Sequence, residues 1–213
     1  VPGGAGTGDG TSWADAEDSI QDAVDAASGA GGGEVWVAAG TYTATTDQVV
    51  TMAENVHLYG GFTGTESSRE NRNWVINETI INGQNTRQCV WGADNATLDG
   101  FTITRGYSLY YGGGMMNGIV SPVVSNCIFT ANSADINGGG MYNLGGSPVI
   151  TNCVFTLNYA GYFGGGMYNH GESPVVANCT FTSKEAVTQG SVICNFSGTA
   201  TITNAIVWGN RDS

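Results

Sequence analysis

The chain has 213 residues, including 34 glycines, and its 18 aspartates and glutamates against six lysines and arginines give a net charge of −12. A nucleic-acid partner requires cations that neutralise phosphates, so this charge excludes that class, and it disfavours an anionic polysaccharide unless Ca2+ bridges the two. No apolar run approaches the roughly 20 residues of a membrane-spanning helix, so no membrane span is expected.

Residues 1–33 are predicted to form an N-terminal cap that contains one helix. Ser12 and Asp15 match the S-x-x-D capping box that precedes many helices. An apolar stripe at helical spacing follows, formed by Trp13, Ala16, Ile20, Ala23, Val24 and Ala27. Acidic residues line the opposite side, and the glycine-rich GAGGG segment ends the helix. An amphipathic helix in this place is expected to cover the open end of the core that follows.

Residues 34–111 are predicted to form turns of irregular length with short strands. The strand-like phrases are GEVWVAAGTY, NVHLYGGF, TIING and TLDGFTIT, which are rich in β-branched and aromatic residues and bounded by turn residues. Between the second and third phrases lies the ESSREN segment, whose Arg69, Glu70 and Arg72 are expected to tie a long excursion back to the coil. Asp99, in the LDG bend, is interpreted as a turn former.

Residues 112–213 repeat with a period of 26 residues. GGGMMN begins at Gly112, GGGMYN at Gly138 and again at Gly164, and the weaker GSVICN at Gly190. A second phrase follows each time: SPVVSNCIF, SPVITNCVF, SPVVANCTF and TATITNAIV. A fixed period of this length is typical of a solenoid, and one period is too short for a helix plus two strands. We therefore predict an all-β parallel coil that forms a single domain with the cap and the irregular turns.

Residues one period apart predict columns of side chains that stack along the coil. The inward columns are Val124, Ile150, Val176 and Ile202; Cys127, Cys153, Cys179 and Ala205; Phe129, Phe155, Phe181 and Val207; and Met115, Met141, Met167 and Ile193. The cysteine column is interpreted as buried free thiols. A disulfide between two neighbouring rungs stays open, because rungs about 4.8 Å apart lie within the Cα range of a disulfide.

Asparagine recurs at two phases of the repeat. The first column contains Asn126, Asn152, Asn178 and Asn204, and the second contains Asn117, Asn143, Asn169 and Asn195. A side-chain amide at every rung can hydrogen-bond to the next rung, so we interpret both columns as structural ladders rather than ligand contacts. The glycine triplets are predicted to be tight corners that need a positive φ or a close approach of two backbones.

These phrases resemble those of right-handed parallel β-helix proteins of the pectate-lyase-like superfamily. The likeness extends to secreted bacterial proteins with GG-x-YN and SP-x-x-x-N-C-x-F repeats, related to polymorphic outer-membrane-protein repeats. It is carried by GTGDGTSWADAEDSI, GEVWVAAGTY, LYGGFTGTESSRENRNW, LDGFTITRG and the three full repeats. The resemblance implies a right-handed coil with three sheets and a secreted or cell-surface protein. It implies no single activity, because the superfamily contains lyases, hydrolases, adhesins and proteins without known activity.

An enzyme of this superfamily that acts on polysaccharides requires a base or a carboxylate pair. A lyase would abstract a proton with a lysine or arginine, and the candidates are Arg105, at the end of a strand, and Lys184, in the last full repeat. A glycosidase needs paired carboxylates, and the sequence shows no such cluster. His57 and His170 lack the spacing of metal ligands. Neither a metal site nor a cofactor is therefore expected, apart from a Ca2+ ion that bridges an acidic polysaccharide.

Aromatic residues gather in the corner loops before the glycine triplets. They are Tyr107, Tyr110 and Tyr111 in one turn and Tyr159, Tyr162 and Phe163 two turns later. Rings on one edge of a coil either stack on sugars or pack over the corner, and both interpretations stay open. If the tyrosines among them bind sugars, the ligand is an extracellular polysaccharide.

The last phrase, NAIVWGNRDS, stays inside the repeat pattern. No second helix or polar terminal repeat follows in this sequence, so either the chain is a fragment of a longer coil or another subunit occupies this end. The first residues, VPGGAGTGDG, are those expected of a processed secreted protein. Our leading hypothesis is an extracellular or cell-surface structural or adhesive protein that forms a homo-oligomer or polymer head to tail. The alternatives are a polysaccharide lyase or hydrolase and a carbohydrate-binding coil.

Overall fold

A computed structural model describes residues 8, 10–171, 173–182, 185–186, 192–209 and 211–212, with backbone only for 185–186 and 211–212. Within these residues the chain forms one α-helix, one turn of 3-10 helix at Arg69–Asn71 and 25 short β-strands. The fold is an all-β parallel solenoid with a helix at its N-terminal end, as the sequence predicts.

The helix α1 spans Ile20–Gly29 and begins later than the capping box at Ser12 predicts. Its N-cap is Ser19, whose hydroxyl accepts a hydrogen bond from the backbone N–H of Asp22 at 3.0 Å. The hydroxyl of Ser12 donates to Asp15 at 2.8 Å, but this pair closes a turn before the helix. The predicted start is wrong because S-x-x-D occurs twice, and only the second copy directly precedes the side chains that the core buries.

The strands form four parallel sheets. Sheet I contains β1 (Gly33–Ala38), β4 (Val56–Phe62), β7 (Thr97–Asp99), β11 (Val123–Ser125), β15 (Val149–Thr151), β19 (Val175–Ala177) and β23 (Thr201–Thr203). Sheet II contains β2 (Gly40–Tyr42), β5 (Thr79–Asn82), β8 (Thr102–Thr104), β12 (Ile128–Thr130), β16 (Val154–Thr156), β20 (Thr180–Thr182) and β24 (Ile206–Trp208). Sheet III contains β9 (Tyr107–Ser108), β13 (Ser133–Ala134), β17 (Tyr159–Ala160), β21 (Glu185–Ala186) and β25 (Arg211–Asp212). Sheet IV contains β3 (Val50–Thr51), β6 (Val90–Trp91), β10 (Met115–Asn117), β14 (Met141–Leu144), β18 (Met167–His170) and β22 (Ile193–Ser197).

One regular turn of the coil passes through sheets I, II, III and IV in that order, and each strand pairs in parallel with the strand one turn away. In the repeat region the paired residues lie 26 positions apart, as Val124 pairs with Ile150 and Phe129 with Phe155. The resemblance implied three sheets, and the structure adds a fourth, sheet III. Its strands have two residues each, which is too short to show the alternation by which a strand is recognised in a sequence.

The core of the coil is a set of stacked columns. The inward columns predicted from the repeat are confirmed as far as Phe181, whereas their last members Ile202 and Val207 are exposed. Val124, Ile150 and Val176 are fully buried. The rings of Phe129 and Phe155 stack with centroids 4.7 Å apart and planes 4° from parallel. Helix α1 adds two buried apolar side chains at the N-terminal end. Each core side chain is therefore covered mainly by its own counterparts in the turns above and below.

All five cysteines are free thiols. Cys127, Cys153 and Cys179 lie buried in one column, and each thiol donates to backbone carbonyls, with Cys127 reaching the oxygen of Leu98 at 3.5 Å. Burial raises the pKa of the Cys153 thiol well above its usual range. A thiol that stays protonated is a poor nucleophile, so Cys153 contributes packing.

The bend between sheets I and II carries the first asparagine column. Asn126, Asn152, Asn178 and Asn204 have φ values between 49° and 55°, a left-handed conformation that asparagine tolerates better than most residues. The amide of Asn152 donates to the Oδ1 of Asn126 at 3.4 Å, and that of Asn204 donates to the Oδ1 of Asn178 at 3.1 Å. These side chains set the bend and connect neighbouring rungs.

The second asparagine column forms a ladder on sheet IV that is buried at Asn117, Asn143 and Asn169. Asn117 donates to Asn143, Asn143 to Asn169 and Asn169 to Asn195, with nitrogen–oxygen distances of 2.8, 2.7 and 2.7 Å. The ladder begins beside Gly92, where any side chain would clash with the Oδ1 of Asn117. A continuous run of amide hydrogen bonds lets these polar side chains lie inside an apolar core.

Candidate functional site

The catalytic candidate Arg105 lies at the bend that follows β8, with an exposed side chain and a φ of 52°. Ala131 and Leu157 occupy the same bend one and two turns later, with φ values of 53° and 54°. The position therefore serves the backbone geometry of each of these turns. Arg105 forms no ion pair with another residue that the structure describes. Lys184 lies outside the described residues, so a catalytic site that uses these two cations stays a prediction.

The two histidines each contact a neighbouring rung. The Nδ1 of His57 lies 3.0 Å from the Oγ1 of Thr97, and the ring of His170 meets the ring of Phe196 edge to face at 4.9 Å. In the described part of the chain, no group of three histidine, cysteine or acidic residues is placed to hold a metal ion.

The corner aromatics divide into exposed rings and packed rings. Tyr110, Tyr162 and Tyr159 are 63%, 51% and 39% exposed. Tyr107 is half-buried, and its hydroxyl donates to the Oδ2 of Asp135 at 2.9 Å, a hydrogen bond that raises the pKa of this tyrosine. The exposed rings face solvent on one edge of the coil, where a ligand can reach them.

Tyr111 packs onto a column of rings on the outer face of sheet IV. Its ring centroid lies 4.6 Å from that of Tyr142, which stacks in turn on Tyr168 at 5.2 Å. Phe163, the counterpart of Tyr111 two turns later, contacts Tyr168 at 6.3 Å. Burial raises the pKa of Tyr168 to about 12. Sequence reasoning missed this column, although the tyrosine of each GGGMYN phrase marks it.

A pair of buried asparagines between sheets II and III was also missed. The Oδ1 of Asn132 accepts from the backbone N–H of Gly106 at 2.8 Å, and its Nδ2 donates to the carbonyl of Ile103 at 2.9 Å. Asn158 repeats this role one turn later. Only two turns carry the residue, so no long column marks it in the sequence. Lys184 occupies the position one period after Asn158. In the two preceding turns this position is a buried asparagine with a structural role.

Two arginines tie the excursion between β4 and β5 to the coil, as the ESSREN segment predicts. Arg69 pairs with Glu34 on β1. Arg72 pairs with Asp99 on β7, and both of these side chains are largely buried. The guanidinium of Arg72 also donates to the carbonyl of Gly60 at 2.9 Å. The excursion is thus attached to the first three strands of sheet I, which are β1, β4 and β7.

Asp99 is the centre of this attachment, so its interpretation as a turn former is wrong. Besides Arg72, its carboxylate accepts a hydrogen bond from the hydroxyl of Ser125 and one from the amide of Asn126, the latter at 3.0 Å. The Arg72 guanidinium lies 4.8 Å from the ring centroid of Trp74. A carboxylate is tolerated in such a buried place only when donors surround it.

A groove of about 670 Å3 runs along β1, between helix α1 and the segment around Trp13. Trp13 and Trp36 line it, and Phe62 stacks on Trp36 with centroids 4.9 Å apart. Among the described strands β1 pairs with β4 alone, which leaves its second edge open. The volume is that of a small-molecule site. The surface of the groove is mainly apolar and aromatic. Such a surface is better suited to packing against an apolar group than to acid–base catalysis.

Glu66 closes the loop at one side of this groove. Its carboxylate accepts hydrogen bonds from the backbone N–H groups of Thr63, Gly64 and Thr65 at 2.7 to 3.1 Å. Burial acts to raise the pKa of Glu66, but these hydrogen bonds outweigh it and lower the pKa to about 2. The indole of Trp13 donates to the carbonyl of Glu66 at 2.9 Å. The charged carboxylate therefore holds the loop on which Trp13 rests.

The family model described as right handed beta helix region matches residues 35–181, more than half of the chain. The chain belongs to this right-handed β-helix family. Neither a search of curated proteins nor a search of solved structures found a matching protein. Within its described residues, this β-helix has no helix that is long and apolar enough to cross a membrane. The family match begins in β1 and ends in β20, so helix α1 and the last described turn lie outside it.

The last described turn of this β-helix exposes columns that the turns before it bury. Val176 is fully buried, whereas its counterpart Ile202 is 41% exposed; Phe181 is fully buried, whereas its counterpart Val207 is 57% exposed. In the described part of the chain, β22, β23 and β24 each pair on one side only. We call the surface formed by Phe196, Ile202, Ile206, Val207 and Trp208 the end surface.

Proposed function

We propose that this β-helix is an extracellular structural or adhesive protein that associates with a second copy of itself through the end surface. The proposal is carried by the exposure of Ile202 and Val207 in the last described turn, whose counterparts one turn earlier are fully buried. In a longer coil the next turn would cover these side chains, whereas in this 213-residue chain a second copy covers them. Exposed apolar side chains of this size are typical of an interaction surface. The extracellular location is supported by the likeness of the repeats to those of secreted β-helix proteins.

The two ends of the coil differ, and the difference favours contact between two end surfaces. At the opposite end, helix α1 covers the core and its outer side exposes Asp22 and Asp25. In a head-to-tail polymer, the apolar end surface would meet these carboxylates. In a two-fold contact it meets an identical apolar surface, and such isologous contacts are the commonest in homo-oligomers. We therefore expect a closed dimer in place of the head-to-tail polymer suggested by the sequence.

The open strand edges support the same arrangement. An unpaired edge exposes a row of N–H and C=O groups that another strand can pair with. Across a two-fold axis, the edges of β23 or β24 in two copies meet antiparallel, and antiparallel pairs are slightly more stable per residue than parallel ones. Contact of one end surface with another covers both sets of edges at once, which limits the assembly to two copies.

Analytical ultracentrifugation over a wide range of protein concentrations tests the proposal. We expect a monomer–dimer equilibrium that stops at two copies. The variant Val207→Ser should weaken the dimer at least tenfold, because burial of each valine contributes about 1.5 kcal/mol and a tenfold change corresponds to about 1.4 kcal/mol. Ile119→Ser is the matched control, since Ile119 is exposed in a loop away from the end surface.

Hydrogen exchange provides a second measurement that needs no variant. Amide protection in β23 and β24 should rise with protein concentration while protection in β1 stays constant. A folded chain that remains monomeric at the highest concentration would refute the association. Species that keep growing beyond two copies would refute the two-fold arrangement and favour the head-to-tail polymer.

A further inference from the structure

We propose that the corner at sheet III binds a neutral β-1,4-linked polysaccharide whose chain lies along the axis of the coil. The residues that carry this inference are Tyr107, Tyr110, Tyr159 and Tyr162, which we call the corner tyrosines. The corner lies on the side of the coil and not at the end surface, so the inference does not rest on dimer formation.

The loops that present the exposed rings are fixed by hydrogen bonds. The hydroxyl of Ser108 accepts from the backbone N–H of Tyr110 at 3.2 Å and from that of Tyr111 at 3.1 Å. Two turns later, the N–H of Gly161 donates to Ala134 at 3.0 Å. A ring on a fixed backbone loses little conformational entropy when a ligand binds, which favours affinity.

Two of the corner tyrosines lie in one column on alternate rungs. The N–H of Ile136 donates to the carbonyl of Tyr110 at 3.1 Å, and the N–H of Tyr162 donates to the carbonyl of Ile136 at 2.8 Å. These bonds place Tyr110, Ile136 and Tyr162 on successive rungs. Because rungs are about 4.8 Å apart, the two tyrosines lie about 10 Å apart along the axis.

The other two corner tyrosines repeat this spacing in sheet III. Tyr107 pairs in register with Ser133, and Ser133 pairs in register with Tyr159. The small serine leaves room between the two rings. Leu109, which follows β9, and Leu157, which precedes β17, are also exposed and add apolar surface on either side of the sheet III strands. The corner thus presents two levels of rings, separated by a rung with smaller side chains.

This spacing matches the repeat of a β-1,4-linked chain. In β-1,4-linked glucose or N-acetylglucosamine, each sugar is turned over relative to its neighbour, so every second sugar presents the same face. The length of that two-sugar repeat is close to two rungs, or about 10 Å. The C–H groups of a pyranose face pack on an aromatic ring, while the tyrosine hydroxyl can bond to the hydroxyls at the rim of the sugar. An α-1,4-linked glucose chain coils and cannot keep this register.

The negative charge of the protein disfavours an acidic polysaccharide. Asp135 is exposed beside the corner tyrosines and accepts the hydrogen bond of Tyr107, and the whole chain has a net charge of −12. A chain with a carboxylate on every sugar would be repelled. Arg105, two residues before Tyr107, supplies one positive charge at one side of the corner, which does not offset that repulsion.

Isothermal titration calorimetry with defined hexasaccharides tests the inference. We expect binding of cellohexaose or chitohexaose, and binding of maltohexaose and of hexagalacturonate weaker by at least tenfold. Tyr110→Ala and Tyr162→Ala should each weaken binding of the β-1,4-linked probe about fivefold to tenfold with an unchanged circular dichroism spectrum. Trp91→Ala is the matched control, because Trp91 is comparably exposed on sheet IV and its loss should leave binding unchanged.

Moving one tyrosine to a neighbouring rung distinguishes binding that depends on the spacing of the rings from non-specific binding to exposed aromatic rings. The double variant Tyr162→Ala/Ile136→Tyr keeps two tyrosines in the column but places them on adjacent rungs, about 5 Å apart. We expect binding to stay as weak as in Tyr162→Ala. Full recovery of binding in the double variant, equal binding of maltohexaose, or no binding of any neutral β-1,4-linked probe would each overturn the inference.

Discussion

Residues 112–182 and residues 34–111 form neighbouring parts of one coil, yet different contacts stabilise their turns. In the regular part, each side chain contacts its own counterpart: Phe155 stacks between Phe129 and Phe181 with centroids 4.7 and 4.8 Å away. Each new turn there repeats the contacts of the turn before it. The stabilisation is therefore spread evenly over many equivalent contacts.

The irregular part depends instead on contacts that occur once. Its long excursion is attached through the buried pair of Arg72 and Asp99, and its aromatic pair Trp36 and Phe62 packs against Trp13 of the N-terminal cap. None of these has a counterpart one turn away. A single substitution in this part should therefore remove a contact that no neighbouring turn can replace, and the comparison can be tested residue by residue.

The largest loss of stability is expected from Phe155→Ala in the regular part. The substitution opens a cavity in the middle of the phenylalanine column, and such changes cost about 3 to 5 kcal/mol. Urea unfolding should show the loss, and hydrogen exchange should locate it in β12, β16 and β20. An effect that spreads equally to β1 and β2 would contradict the view that turns depend mainly on their neighbours.

Arg72→Leu should lower the free energy of unfolding by about 3 kcal/mol, because it leaves the carboxylate of Asp99 buried without its cation. The loss should be confined to the excursion and to sheet I near β4 and β7. Arg69→Leu is the matched control: the Arg69 and Glu34 pair is exposed, and exposed pairs contribute about 1 kcal/mol or less. Similar losses in the two variants, measured by urea unfolding, would show that the buried pair has no special role.

Asn143→Ala should cost about 2 kcal/mol, because it leaves the amide of Asn117 and the oxygen of Asn169 buried without partners. Asn152→Gly is the comparison in the exposed column: glycine keeps the left-handed bend, and the lost hydrogen bond is 3.4 Å long, so the change should stay near 0.5 kcal/mol. Urea unfolding of the two variants measures the difference. Equal losses would mean that burial does not distinguish the two ladders.

The smallest effect is expected from acid, at the loop of Glu66 in the irregular part. The pKa of Glu66 in the folded chain, about 2, lies below that of an unfolded glutamate, about 4.3. Its contribution is therefore complete above about 4.3 and is lost as the pH falls toward 2. Tryptophan fluorescence should report the release of Trp13 in this range, and Glu66→Gln should remove that part of the pH dependence. Identical acid titrations of the two proteins would contradict the assignment.

The regular part could be predicted from the sequence because the residues that form each contact recur once per period. The columns of Val124, Phe129 and Asn117 recur at a constant separation, so their inward placement follows from periodicity alone. The bend column of Asn126 follows from the same signal together with the tolerance of asparagine for positive φ. Sheet III escaped prediction because two-residue strands carry no alternation.

The candidate sites could be predicted only as residue types. The pairing of Arg72 with Asp99 joins residues 27 positions apart, and nothing in the sequence marks that separation. The corner tyrosines were identified from the sequence, but their exposure depends on which neighbouring loops cover them. Tyr111 is stacked against Tyr142 and is 36% exposed, whereas the adjacent Tyr110 is 63% exposed. Composition and order do not distinguish these two neighbours, because the distinction arises from the path of the loop.

Because contacting partners in the regular part are 26 residues apart, a deletion or duplication of 26 residues can change the length of the coil by one whole turn. The bonds from Asn117 to Asn143 and from Asn143 to Asn169 both span 26 residues. Deleting residues 138–163 would bring Asn117 against Asn169 in the same register, and the other columns of the regular part would close in the same way. Unequal recombination between repeats therefore lengthens or shortens the coil by one whole rung in a single genetic event, without new contacts having to evolve.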